Sequence, residues 1–234
     1  MARISDHFAR RHKPKDSTLG EITLIRHGQA NSHATDDASY DQLSDLGHQQ
    51  AVWLGEHLRA HEPPFDRVLT GSLRRHKQTA DGMGAVGPAR EEDARLDEMD
   101  YFNLGWALEN HNGTPMPGPE NFAEHSQQVL SAWHAAEIQG NETFASFETR
   151  VTGVLAEATE PGRRVLCVTS GGVIGMVLRH LFDLDTRRTA QIMLPILNAS
   201  IHRFHVTPHG TILAHFNMHP HLDAPDRAHA RTTY

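Results

Sequence analysis

I-T-L-I-R-H-G occupies residues 22–28 and is followed by Gln29. Its first four residues are apolar or β-branched and predict a short strand, which ends in an arginine, a histidine and a glycine. In open α/β sheets, ligands bind at the carboxyl ends of the strands. This stretch therefore predicts that Arg26 and His27 lie in a ligand site at that edge of a sheet.

Two further segments repeat the pattern of a strand, a turn and a helix. F-D-R-V-L-T at residues 65–70 predicts a strand, and G-S-L-R-R-H-K-Q-T-A at residues 71–80 predicts a turn that continues into a helix. R-V-L-C-V-T at residues 164–169 predicts a buried strand that ends at Ser170, with a helix from residue 173 to about 182. The three units together predict an α/β fold with helices packed on a sheet.

The rest of the chain predicts a cap and the closing strands. Residues 29–43 are polar and predict a loop over the first strand end, and residues 101–120, rich in Gly, Pro and Asn, predict an irregular segment. Residues 100–150 are expected to cap the sheet edge. The other predicted elements are a helix capped by Ser44 or Asp45, helices at residues 121–138 and 144–159, and a hairpin or pair of edge strands at residues 199–206 and 211–217.

Composition predicts a soluble, cytoplasmic protein with one main domain. The 234 residues carry a formal net charge of -7, which favours neither nucleic acid nor an anionic membrane as a partner. No apolar run is long enough to span a bilayer, and the amino terminus lacks the apolar region of a secretory signal. The single cysteine, Cys167, excludes an intramolecular disulfide, and its apolar neighbours predict a buried core residue.

The predicted domain spans residues 20–222, with a tail at residues 223–234. Residues 1–19 combine five basic side chains with few apolar ones and predict a disordered basic arm. A targeting or partner-binding arm is the alternative. A homodimer through an edge strand is left open by the sequence.

Histidines are frequent, with 19 in the chain, and many lie near its end. His219 and His221 alternate, so an extended segment would place both imidazoles on one face, as a metal site requires. Apart from Asp223, however, the carboxylates and cysteines that complete such sites are missing nearby. We therefore predict no metal site.

The residues at the strand ends suit phosphoryl transfer, which needs in-line attack and fixed donors for the charged oxygens. Arg26 and Arg75 each follow a predicted strand, and a guanidinium holds phosphate through two parallel hydrogen bonds. His27 is the candidate nucleophile if a backbone carbonyl holds its other ring nitrogen, and Gly28 lets the backbone bend around the ring. Glu98 is the candidate acid and base.

Four motifs resemble the histidine phosphatase superfamily, whose fold is phosphoglycerate mutase-like. The resemblance covers about residues 20–222. It implies an α/β three-layer sandwich, with a mostly parallel central sheet, helices on both faces and a helical cap insertion over the carboxyl edge. The motifs are L-I-R-H-G-Q at residues 24–29, L-S-D-L-G-H-Q-Q-A at 43–51, S-L-R-R-H-K-Q-T-A at 72–80 and V-T-S-G-G-V-I at 168–174.

The resemblance also implies the roles of individual residues. His27 corresponds to the histidine that accepts the phosphoryl group, Arg26 and Arg75 hold the phosphate, and Glu98 resembles the proton donor. This mechanism needs no cofactor, because the two arginines do the work of the metal in other phosphatases. The predicted phosphate- or substrate-binding residues are Arg26, Arg75, Gly28, Gln29, Asn31, Ser170 and Gly171, with Ser32 beside Asn31.

Ser170 departs from the pattern of the family, which has a second histidine before the Gly-Gly pair. In the family this histidine donates to the phosphoryl oxygens, whereas serine offers one neutral hydrogen bond and no charge. Loss of one such donor costs about 10²- to 10³-fold in rate. Three other histidines are candidates to replace the missing imidazole: His33, His48 and His202.

The predicted function is hydrolysis of phosphomonoesters through a phosphohistidine intermediate, on a small phosphorylated metabolite and slowed by Ser170. The alternative is a catalytically weak or inactive module that binds a phosphate ligand for regulation. A phosphoglycerate mutase-type phosphotransferase is less favoured. Family mutases follow Arg-His-Gly with Glu and a downstream Trp-Asn, whereas this chain reads Q-A-N-S-H at residues 29–33, and its cap lacks their arginines.

Overall fold

The computed structural model of the protein describes residues 19–31, 34 and 36–233. Residues 1–18 of the predicted basic arm lie outside the described residues, as do Ser32 and His33. No helix in the described part is both long enough and apolar enough to cross a membrane.

The described residues form one central sheet of six strands. The strands are β1 (Gly20–Arg26), β2 (Arg67–Thr70), β3 (Glu91–Glu92), β4 (Arg164–Thr169), β5 (Ile201–Thr207) and β6 (Gly210–Met218). Their order across the sheet is β3-β2-β4-β1-β5-β6. The first four strands in this order are parallel, whereas β5 and β6 run antiparallel at one edge. β5 and β6 are the hairpin that the sequence predicts.

Helices follow most strands and cover both faces of the sheet. They are α1 (Asp37–Tyr40), α2 (Asp45–His61), α3 (Arg74–Met83), α4 (Tyr101–Asn112), α5 (Phe122–His134), α6 (Phe144–Ala158), α7 (Gly171–Phe182) and α8 (Thr186–Met193). Short 3-10 turns lie at Ala94–Leu96, Pro119–Asn121, Pro220–Leu222 and Pro225–Ala230.

Alternate residues of β1, β2, β4 and β5 pack into two separate cores, because successive side chains point to opposite faces of a sheet. Val165 and Cys167 of β4 pack in the core under α6 and α7. Leu166 and Val168 pack on the opposite face, against α2 and α3. This arrangement confirms the predicted three-layer fold. It also confirms that Cys167 is a buried core residue, where burial raises the pKa of its thiol to about 12.

The prediction of an irregular segment at residues 101–120 was wrong for its first part, which is α4. Asp100 begins the helix by accepting a hydrogen bond from the Asn103 amide, and Leu104 and Leu108 are buried against the core. Gly105 lies so close to the sulfur of Met116 that a Cβ would overlap it. The glycine therefore serves packing inside the helix and does not interrupt it.

The predicted tail at residues 223–234 folds back onto α2 as far as it is described. Its 3-10 turn places Ala230 in a fully buried position. The Ala230 carbonyl accepts a hydrogen bond from the buried side chain of Gln50 at 2.7 Å, and the Thr232 carbonyl accepts one from the Asn198 amide at 2.8 Å. Both contacts lie close to the end of β1.

Candidate active site

His27 lies directly after β1 and is 1% exposed. Its Nδ1 lies 2.7 Å from the carbonyl oxygen of Gly28, so the N–H at Nδ1 donates to that carbonyl and leaves Nε2 with its lone pair. Burial, followed by the positive charges of Arg75 and Arg26, lowers the pKa of His27 well below its ordinary value. His27 is therefore neutral near pH 7, the form in which an imidazole is a nucleophile.

The backbone around His27 is held from both sides. Asn198 and Ala199 both donate to the His27 carbonyl, the latter from its backbone amide at 3.1 Å. The Gly28 amide donates to Thr79 Oγ1 at 3.0 Å. A Cβ on Gly28 would overlap the backbone of Gly47 in α2, so only glycine allows this close approach.

Arg26 and Arg75 are both buried, with exposed fractions of 9% and 5%. Arg75 Nη1 forms an ion pair with Asp41 at 3.1 Å, and its guanidinium lies 5.0 Å from the centre of the Tyr40 ring. Burial lowers the pKa of Arg26, and Tyr40 is the strongest influence raising it. The Nε atoms of both arginines have no hydrogen-bond partner among the described residues. Two buried donors are thus available to an anion within a protein of net charge -7.

Glu98 lies between the 3-10 turn at Ala94–Leu96 and α4, and its carboxyl group contacts the amino-terminal end of α7. Its Oε2 accepts from the Gly172 amide at 3.1 Å, and its Oε1 accepts from the Met99 amide at 3.0 Å. Arg26 and Glu98 contact adjacent residues of α7, because a Cβ at Gly171 would lie 3.6 Å from Arg26 Nε and a Cβ at Gly172 would overlap Glu98 Oε1. The charge of Glu98 accordingly raises the pKa of Arg26. The carboxyl group of Glu98 is partly exposed, and this position next to Arg26 suits a group that gives up and accepts a proton.

Three other predicted binding residues border this site. The side-chain oxygen of Gln29 accepts from the Ser44 hydroxyl at 2.8 Å, and the Asn31 amide donates to the Ser39 carbonyl at 2.9 Å. These bonds stabilise the loop between β1 and α2. Gly171 faces Arg26, since a Cβ at this position would lie 3.6 Å from the Arg26 Nε.

His76 is a residue of the site that sequence reasoning missed. It is fully buried, and its Nε2 lies 2.6 Å from the Oγ of Ser170. Its ring centre is 5.6 Å from that of His27. The available signal was its position directly after Arg75, in the first turn of a helix that begins at a strand end.

The described candidates for a replacement imidazole do not occupy this position. His48 is exposed on α2. His202 is buried, but its Nε2 lies 2.9 Å from Ser200 Oγ and its Nδ1 accepts from the Asn217 amide. The imidazole at Ser170 therefore belongs to His76.

His219 and His221 do not lie on an extended segment, because a 3-10 turn at Pro220–Leu222 separates the two residues. His219 Nδ1 bonds to the Asn217 carbonyl, while His221 is buried next to His57. The described residues contain no group of three or more His, Cys, Asp or Glu side chains arranged to hold a metal ion.

Residues 22–219 match the family model described as the histidine phosphatase superfamily, branch 1. No curated protein matches the chain.

Solved structures with the same fold include two phosphatases and a mutase. A phosphoserine phosphatase mutant from Entamoeba histolytica in complex with phosphoserine is 18% identical, with a TM-score of 0.64 over 87% of this chain and 99% of that one. Phosphoglycerate mutase from Bacillus anthracis is 19% identical, with a TM-score of 0.62 over 89% and 97%. A mycobacterial glucosyl-3-phosphoglycerate phosphatase is 24% identical, with a TM-score of 0.61 over 85% and 99%.

Proposed function

Since this chain belongs to the histidine phosphatase superfamily, we propose that it hydrolyses a small phosphomonoester through a phosphohistidine at His27. One observation carries the proposal. The neutral, orientated imidazole of His27 is under the electrostatic influence of two buried arginines, Arg75 and Arg26, whose Nε donors lack partners among the described residues. A phosphoryl group in this position satisfies those donors and meets a nucleophile at the same time.

The reaction has two steps. In the first, His27 Nε2 attacks phosphorus in line with the ester oxygen, the P–O bond breaks, and Glu98 donates a proton to the departing alcohol. In the second, Glu98 accepts a proton from water as the water attacks the phosphohistidine. Inorganic phosphate leaves, and His27 and Glu98 return to their starting protonation states. Arg26 and Arg75 hold the charged oxygens throughout.

The cap favours hydrolysis of simple monoesters over a mutase reaction. Residues 96–149 contain no lysine or arginine, so this part of the cap offers no cation to a substrate carboxylate or second phosphate. An aromatic row continues from Arg75 instead: Tyr40 lies 6.2 Å from Phe102, and Phe102 lies 6.2 Å from Trp106. These surroundings suit an uncharged leaving group with an apolar or aromatic part.

Activity measurements separate an enzyme from a binding module. Wild-type protein should hydrolyse p-nitrophenyl phosphate in the presence of EDTA, and His27→Ala should abolish the reaction. His48→Ala, which removes an exposed imidazole on α2, is the matched control and should retain full activity. Equal residual rates for wild type and His27→Ala would leave only the binding module, the alternative that Ser170 favours.

The intermediate can be trapped directly. Turnover of an aryl phosphate that is radiolabelled on phosphorus, quenched in alkaline detergent, should leave label on the protein that is stable in base and lost on later treatment with acid. The label should disappear in His27→Ala. Turnover without a labelled protein at any quench time would contradict a phosphohistidine.

A further inference from the structure

His76 and Ser170 form a buried polar pair beside His27, and the partly exposed carboxylate of Asp97 lies next to the other ring nitrogen of His76. His76 Nε2 lies 2.6 Å from Ser170 Oγ, and its Nδ1 lies 3.6 Å from Asp97 Oδ1. Asp97 is itself held by the backbone amides of Ser72 and Leu73 and by the Ser72 hydroxyl. A Cβ on Gly71 would overlap His76 Nδ1, so this glycine makes room for the imidazole.

The proposed reaction gives these three groups no role. His27, Arg26, Arg75 and Glu98 supply the nucleophile, the anion donors and the proton donor. A fully buried imidazole next to a carboxylate carries a desolvation cost that an apolar side chain of similar volume avoids. It lies between Asp97 and Ser170, and Ser170 precedes Gly171, which faces Arg26. This position indicates a function connected to the proposed phosphoryl site.

We propose that protonated His76 is a positioning residue that turns the Ser170 hydroxyl towards a phosphoryl oxygen and places a positive charge behind it. This inference rests on the proposed function. In the protonated state, Nδ1–H points to Asp97 and Nε2–H donates to Ser170 Oγ. The serine hydrogen is then free to donate to the substrate. The imidazolium supplies the charge that serine lacks.

The neutral state of His76 behaves differently. With Nδ1–H towards Asp97, the lone pair at Nε2 accepts the hydroxyl hydrogen of Ser170, and the substrate loses that donor. The pKa of His76 is lowered overall, because burial is the largest cause and Arg75 also lowers it, whereas Asp97 and Glu98 raise it. His27 is the other titratable group that faces it. A bound phosphoryl dianion adds negative charge and therefore favours the protonated form.

An exchange of side chains tests the inference. His76→Ala and Ser170→Ala should each lower kcat by about 10²-fold, and the double alanine variant should be no worse than either, because the two groups act as one donor. His76→Ala combined with Ser170→His moves the imidazole to the other side of the same space. That variant should recover activity to within about tenfold of wild type, in the range of one partly restored donor.

A conservative variant separates this role from packing. The amide of His76→Gln can donate to Ser170 at every pH but carries no charge, so kcat should fall. The loss of activity that deprotonation of His76 causes in the wild type as pH rises should disappear in this variant. Superimposable pH profiles for the two proteins, after scaling, would overturn the inference. Loss of activity in His76→Ala without recovery in the exchanged variant would also overturn it.

The outcomes separate this inference from the proposed function. A wild type whose hydrolysis depends on His27 but does not change in His76→Gln retains the function and refutes the inference. No hydrolysis beyond that of His27→Ala refutes the function itself. Acid-stable label on Ser170 would show that the serine is a nucleophile and would overturn its role as a donor.

Discussion

Gly172→Ala tests whether the position of Glu98 is needed for catalysis, because it moves the carboxyl group without changing its chemistry. Gly172 is the second residue of α7, and its amide donates to Glu98 Oε2 at 3.1 Å. An added Cβ would lie 3.1 Å from the Glu98 carboxyl carbon and would overlap Oε1. The carboxyl group must therefore move by about 1 Å, a displacement that can cost about 10²-fold in rate.

The leaving group of the substrate decides how much of this loss is visible. An alkoxide needs a proton as it departs, whereas p-nitrophenolate is stable as an anion. The value of kcat/KM reports the first step, in which Glu98 acts as the acid. We therefore expect Gly172→Ala to lower kcat/KM by about 10²-fold for an alkyl phosphate and by less than about tenfold for p-nitrophenyl phosphate. Glu98→Gln should show the same contrast.

Gly153→Ala is the matched control. Gly153 also lies in a helix, α6, but a Cβ there would approach only Arg95, at 3.9 Å. Its kcat/KM should remain at the wild-type value for both substrates. If Gly172→Ala slowed the two substrates equally, the displaced carboxyl group would not be the proton donor, and the assignment of Glu98 would be refuted.

Three further predictions concern stability and substrate preference. Burial lowers the pKa of His221 from 6.5 to about 3. Between these two pH values the unfolded chain binds a proton at His221 that the folded chain does not bind, so the free energy of unfolding falls as pH falls. His221→Leu should reduce the loss of unfolding free energy between pH 7 and pH 5 by at most about 2 kcal/mol, measured by urea denaturation; an unchanged loss would contradict this. Gln50→Leu should lower the free energy of unfolding by about 1–3 kcal/mol for each group that loses its hydrogen bond, which are the Gln29 amide and the Ala230 carbonyl. The control Gln49→Leu, at an exposed position, should leave the free energy of unfolding almost unchanged. Phe102→Ala should raise KM for p-nitrophenyl phosphate about two- to tenfold with kcat little changed, and KM should move less for phosphoserine, whose leaving group is not aromatic.

The sheet and the strand-end residues were predictable because the signals are local. β1, β2 and β4 are short β-rich runs, and Arg26, His27 and Ser170 lie at the ends of β1 and β4, so the carboxyl edge of a parallel sheet brings them together. β3, which is only Glu91–Glu92, has no such signal and was not predicted. Helix α4 was not predictable in this way. Gly105 indicated a break, but it is needed for contact with Met116, which belongs to the segment after the helix.

The pairing of His76 with Ser170 depends on contacts that no local pattern contains. The two residues are 94 positions apart, on different strand-to-helix connections. His76 also follows Arg75 directly, and neighbouring residues on a helix point in different directions. Arg75 consequently reaches Asp41 and Tyr40, while His76 reaches Ser170. Alignment of the sequence with the family motif shows only that position 170 lacks a histidine. It does not show that the imidazole of His76 lies next to this position.

The imidazole of His76 next to Ser170 changes the effect on activity that is expected from a serine at this position. With His76 protonated, the phosphoryl site has two guanidinium groups and one imidazolium, the same set that a histidine at position 170 would provide. The Ser170 hydroxyl then donates the hydrogen bond, while the positive charge stays on the His76 ring behind it. The site keeps three positive charges, but the third lies farther from the phosphoryl oxygens. It follows that Ser170→His alone should lower activity, because the new ring must enter the space that His76 already fills at 2.6 Å from Oγ. A rate increase in that single variant would mean that the space is open and that His76 does not act through Ser170.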